Sequence, residues 1–189
     1  GYESIPSTIP PLEPLPREER EREALDRLIN STLVGMGYSE VIHFSFTSPD
    51  SSRVLGFPED HESSRFVTIA NPLTEDTSVM RTSLVYGLLE CVRKNINIGN
   101  GNLRLFETGT VFFSTGEGTL PLEKRRIAGL LTGDRHGEQW YSKDTPCDFY
   151  DLKGSLETLF LALGIRLVRF VPDSTIPWLN PGKSAAVYV

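Results

Sequence analysis

Leu25, Leu28, Ile29, Thr32, Leu33 and Met36 recur at steps of three to four, which puts them on one face of a helix over 17–36. Gly35 and Gly37 mark its end. The first half, PREEREREALDR, mixes charges of both signs in the manner of a solvated face. A stripe shows that a face is buried but not whose core it enters, so burial within this chain and sharing between subunits both stand. Leu84, Val85, Leu88, Leu89, Val92 and Ile96 predict a second helix, and Leu152, Leu156, Leu159, Phe160 and Leu163 a third. Asp148 caps the third, with Asp151 at its third position and Gly164 as its stop. A short helix is expected over 48–55, with Ser48 as cap and Pro49 at the first position.

Alternation and β-branched or aromatic enrichment predict strands at 38–46, 65–70, 126–133, 165–171 and 185–189. LRLFETGTVFF (103–113) reads as a strand, a turn and a second strand. The strand at 126–133 looks buried, with Gly129 admitting another backbone. NIGNGN (97–102) and 114–121 are turns, and Asn71-Pro72 is a loop, because proline fixes its own φ and drives the preceding residue out of the helical region. Residues 1–16 are a proline-punctuated linker or strap, which leaves 17–189 as one domain. No βαβ alternation is present. The order suits an α+β fold, an antiparallel sheet with helices packed to one side. Gly1 in place of methionine, and an ending at Val189 within a strand, suggest part of a longer polypeptide.

A length of 189 residues, 39% apolar and 23% charged, is one generous globular domain with a sizeable core. No apolar run approaches the roughly 20 residues of a membrane span. Two cysteines, Cys91 and Cys147, are too few for a disulfide framework and point to a reducing cytosol. A net charge of -6 argues against binding nucleic acid mainly by neutralising phosphates.

Candidate chemistry is sparse. His43, His61 and His136 are far apart and lack metal-ligand spacing. Cys91 lies inside a helix and packs as a small hydrophobe. PGKS at 181–184 lacks the glycine of a phosphate loop, because Pro177 stands in its place. Gly99 and Gly101 follow a helix, whereas a phosphate cradle precedes one. Arg81, beside Thr82 and Ser83, could hold an anion, but the favoured role is a salt bridge to Glu75 or Asp76 that pins the loop begun by Asn71 and Pro72. Arg104 is expected to pair with Glu107, and Lys153 with Asp151 or Glu157.

The wording NPL, SVMRTSL and RLFETGTVF, with GYESIP before it and CDFYDLKGSLETLF and LNPGKSAAVYV after it, resembles the synthetase-like core of bacterial phenylalanyl-tRNA synthetase β subunits. The resemblance implies a class II synthetase architecture, a mostly antiparallel central sheet flanked by helices. It implies that the helix 17–36 and the following strand lie at a subunit interface, which makes Leu25, Leu28, Ile29, Leu33 and Met36 interface candidates. It also implies an α subunit partner in an (αβ)2 assembly, with ATP, magnesium and tRNA(Phe) used by the whole cytoplasmic enzyme. An active class II site needs an arginine on the first strand of the second motif and another in a late glycine-rich motif ending in Glu-Arg. Arg104 sits on the first; the last arginine is Arg169, and nothing after it fits the second. The expectation is a chain with no catalytic residue, metal ligand or cofactor of its own. An independent ligase completed beyond Val189, and a regulatory paralogue binding an amino acid or nucleotide, are the alternatives.

Overall fold

The computed structural model describes residues 2–4, 8, 17–116, 118–136, 140–141 and 145–189. Most of the 1–16 linker therefore lies outside the described residues. The helices are α1 (Arg17–Gly35), α2 (Ser51–Val54), α3 (Val85–Asn97) and α4 (Phe149–Ala162). The strands are β1 (Ser39–Glu40), β2 (Phe46–Thr47), β3 (Val79–Met80), β4 (Leu103–Phe113), β5 (Leu122–Thr132), β6 (Arg169–Pro172) and β7 (Ala185–Tyr188).

The long antiparallel pair β4–β5 is the spine, in register from Leu103 opposite Thr132 to Phe113 opposite Leu122. β1 adds to β4 in parallel, Ser39 opposite Leu105. β2–β3 and β6–β7 are separate antiparallel pairs. Arg81 N donates to the Ser45 carbonyl, extending the β2–β3 pair, and Phe112 N donates to the Arg81 carbonyl, which ties that pair to the far end of β4, both at 2.9 Å. The result is an α+β domain with a mixed sheet, its pairings mostly antiparallel.

Several boundaries differ from the sequence expectation. Residues 103–113 form one uninterrupted strand with no turn. A tight reversal needs positive φ, found at Gly116 and Gly118 between β4 and β5 and not at Gly109. The strand expected at 38–46 is two dipeptides. Val41 N still donates to the Phe106 carbonyl at 2.8 Å, but at His43 the backbone N–H turns to the Glu107 carboxylate at 3.3 Å. Ile42 and Phe44 are left 86% and 76% exposed. The 65–70 strand reduces to a bridge between Thr68 and Val79. α2 starts after Asp50, because Ser48 Oγ accepts from Asp50 N in a turn ahead of the helix. The expectation that Gly129 admits another backbone also fails. A β-carbon there would sit 3.6 Å from the Leu105 carbonyl oxygen, an ordinary contact, and Ile127 beside it is exposed.

Helices cover both faces of the sheet rather than one. Successive side chains of β4 point to opposite faces, so one strand serves two packings. Phe106 points towards α1 and α4 and packs with Leu33, Tyr38 and Leu159, joined by Ile29, Met36, Leu131 and Leu163. Leu105, Glu107, Gly109 and Val111 occupy the other face, where Leu84 at the start of α3 lies against Gly109. The interface stripe is divided accordingly. Leu33 is buried and Ile29 and Met36 pack on this chain's own core, while Leu25 and Leu28 stay 47% and 41% exposed.

α4 begins as expected. Asp148 accepts from Tyr150 N at 2.8 Å, and Asp151 accepts from Asp148 N at 2.8 Å. Lys153 pairs with Glu157 at 3.1 Å. The Asp148 N–H, and then Arg135 with its Nε 2.7 Å away, hold the Asp151 carboxyl below its ordinary value. A carboxyl lowered in the folded state stabilises it fully above its unfolded value and loses that contribution as pH falls through the folded one. Thermal unfolding scanned from pH 7 to 3 is therefore expected to show a smaller acid loss for Asp151→Asn than for the parent chain. Equal slopes would show that this cap does not titrate with folding.

Candidate functional site

On the α3 side of β4, three side chains from three segments meet. Arg81 leaves the end of β3 and lies across β4. Its Nε donates to the Thr110 carbonyl at 2.9 Å, and its Nη1 to Glu107 Oε1 at 2.6 Å and to the His43 carbonyl at 3.3 Å. Glu107 Oε2 stands 2.7 Å from His43 Nδ1. A carboxylate only accepts, so that imidazole nitrogen carries the hydrogen. The Glu107 side chain is 2% exposed, Arg81 9% and His43 30%. Burying a charge costs several kcal/mol (~) unless it is paired and hydrogen-bonded, and here both charges are.

Two glycines make room for this cluster. A β-carbon on Gly109 would collide with Arg81 Nη2 and come within 3.1 Å of Leu84 Cδ2. One on Gly87 would stand 3.0 Å from the His43 ring. Gly109 is thus explained by the guanidinium above it, not by a turn.

The expected pairings are redrawn. Arg81 binds Glu107, not Glu75 or Asp76. The 71–78 loop is held by its own residues, through the reciprocal Thr74–Thr77 cap and a bond from Ser78 Oγ to the Glu75 carbonyl at 2.7 Å. Asn71 and Pro72 are exposed on that loop. Arg104 cannot pair with Glu107: three positions apart on one strand, they point to opposite faces. Arg104 Nη2 instead donates to the Arg135 carbonyl. The part that His43, Gly87 and Gly109 play in this cluster was missed from sequence. The available signal was Glu107 itself, an acidic residue in phase with buried Leu105 and Val111, which required a buried cation.

Above the cluster opens a cleft of about 590 Å³ between α3 and the β2–α2 segment. Phe46, Leu84 and Tyr86 supply apolar wall, and Asp50, Asp76, Glu90, Arg93 and Lys94 supply charge. Burial, and then the negative charges of Glu90, Asp76 and Asp50, push the Tyr86 hydroxyl above its ordinary value. Arg93, bonded at 2.6 Å, holds the Glu90 carboxyl below its own. These residues do not suit a nucleoside triphosphate with magnesium. Arg81 and Arg93 are already committed to carboxylates, and four acidic side chains line the space. Among the described residues no three His, Cys, Asp or Glu converge as a metal site. His61 serves its own turn, accepting from Ser63 N and stacking on Phe57. No helix of the described residues is long and apolar enough to cross a membrane.

The same architecture occurs in the pyrrolysyl-tRNA synthetase of Desulfitobacterium hafniense. One of its structures matches with a TM-score of 0.59 at 18% identity, covering 82% of this chain and 49% of that one. A second gives 0.58, covering 82% and 51%. The domain thus has the class II aminoacyl-tRNA synthetase fold. The family profile described as the phenylalanyl tRNA synthetase beta chain CLM domain matches residues 5–189, and the chain belongs to that family. It is 41% identical over its whole length to the phenylalanine–tRNA ligase β subunit of Syntrophus aciditrophicus, covering 24% of that protein. Identity to the corresponding subunit of Carboxydothermus hydrogenoformans is 40%, again over the whole chain and 23% of the relative. The chain thus spans about a quarter of the length of these curated relatives.

Proposed function

We propose that this domain is the catalytically silent, synthetase-like part of a phenylalanine–tRNA ligase β subunit, and that it docks the α subunit that carries the chemistry. In this reading the whole cytoplasmic enzyme is an (αβ)2 assembly that uses ATP and magnesium to charge tRNA(Phe) with phenylalanine. Residues 1–16 connect this domain to the rest of the subunit. The observation that carries the reading is the commitment of Arg81 to Glu107. An arginine that stabilises a departing phosphate must be free to meet it. Arg81 is spent on fixing β3 against β4, and Arg104 is spent on a backbone carbonyl. Together with Asn71 and Pro72 in the adjoining loop, Arg81, Arg104 and Glu107 maintain the scaffold and take no part in reaction.

Leu25 and Leu28, both exposed on α1, support docking through this helix, since apolar side chains left on a surface mark association sites. Co-expression with a cognate α subunit tests it directly. The chain is expected to co-purify with the α subunit in stoichiometric amount, and Leu28→Glu to reduce recovery at least about tenfold, as one buried charge at an interface does. Equal recovery of the variant would place the interface elsewhere. No recovery of either would end the docking reading.

A further inference from the structure

α1 carries two adjoining stripes. Asp26, Ile29, Leu33 and Met36 recur at steps of three and four along one face, and Leu25, Leu28 and Thr32 do so along the shoulder beside it. The first stripe changes character along the helix. Leu33 is buried against Phe106, and Ile29 and Met36 pack on that core. One turn before Ile29 the same stripe holds a carboxylate, and there the core ends: from residue 21 to residue 28 every residue is exposed except Asp26. Asp26 reaches across to β5, where Arg125 Nη2 donates to its Oδ2 at 2.9 Å. Arg125 stands opposite Thr110, on the face of the sheet to which Phe106 also points.

Apolar burial is non-directional, whereas a hydrogen bond requires a set distance and angle. The Asp26–Arg125 pair thus fixes the rotation of the half of α1 that the core does not hold, and with it the direction in which Leu25 and Leu28 face. We propose that Asp26 and Arg125 are positioning residues for subunit association, turning Leu25 and Leu28 towards the α subunit. This rests on the docking reading above and adds to it the contact that presents the docking face. In this arrangement neither charge touches the partner.

The dissociation constant for a cognate α subunit, measured by isothermal titration for the parent chain, Arg125→Asp, Asp26→Arg and the two changes together, tests this. Each single reversal sets like charges against each other. It is expected to weaken binding about fivefold, the scale of one partly exposed ion pair. The double variant restores the pair with its signs exchanged and is expected to bind within about twofold of the parent. The melting temperatures of the variants alone are expected to stay within about 4 °C of the parent's, which separates a turned helix from a lost fold. Unchanged binding by the single variants would overturn the proposal. Equal weakening in the double variant would overturn it too, since the charges themselves would then be meeting the partner. Leu28→Glu is the reference: its loss of binding beside unaffected charge variants sinks the positioning role alone. No binding by the parent chain ends the docking reading and the positioning role together.

Discussion

Glu107→Ala is expected to cost about 3–5 kcal/mol of folding stability, because it leaves the Arg81 guanidinium buried with no countercharge. Arg81 is 9% exposed and cannot turn to water without giving up its bond to the Thr110 carbonyl. His43 loses the acceptor for Nδ1 in the same step. For a domain of this size the loss lowers the melting temperature by roughly 10 °C. Urea denaturation followed by circular dichroism measures it, and a change below about 1 kcal/mol would show that the pair is not desolvated as drawn. The double variant Arg81→Met, Glu107→Leu is expected to lose less than either single change, since removing both charges leaves neither stranded.

Phe106→Ala is expected to have an effect of the same size for a different reason. Phe106 is fully buried where α1, α4 and β4 meet, against Leu33, Tyr38 and Leu159. Removing its ring deletes contacts from both helices and leaves a cavity, at a cost of about 3–5 kcal/mol. Phe44→Ala, at a position 76% exposed, is expected to stay within about 0.5 kcal/mol in the isolated chain. Comparable losses for both would mean that the 41–46 segment is packed in a way its exposure does not show.

The long helices, the glycine-rich reversal after β4 and the α4 cap were legible because each depends on residues close in sequence. Asp148, Asp151 and the Leu152–Leu163 stripe specify α4 without help from the rest of the chain. The fate of 38–46 was not legible. Its alternation fits one strand, but its hydrogen bonds go first to Phe106 and then to a carboxylate, a choice made across more than sixty positions. Gly109 misled for a related reason. In sequence a glycine between threonines reads as a turn, whereas here the missing side chain is the space Arg81 fills. The pairing of Arg81 with nearby Glu75 or Asp76 was favoured by proximity along the chain, but solvent screens such a loop pair and leaves little to gain. Glu107, drawn inward by strand alternation, had no alternative but to find a cation.

Phenylalanine-dependent exchange of pyrophosphate into ATP, assayed on the purified chain alone, tests the central claim most directly. With Arg81 and Arg104 bound within the fold, no exchange above the no-enzyme background is expected from this chain alone, and on the proposed function exchange is expected once the full-length β subunit is assembled with a cognate α subunit. Robust exchange by this chain alone would contradict the account.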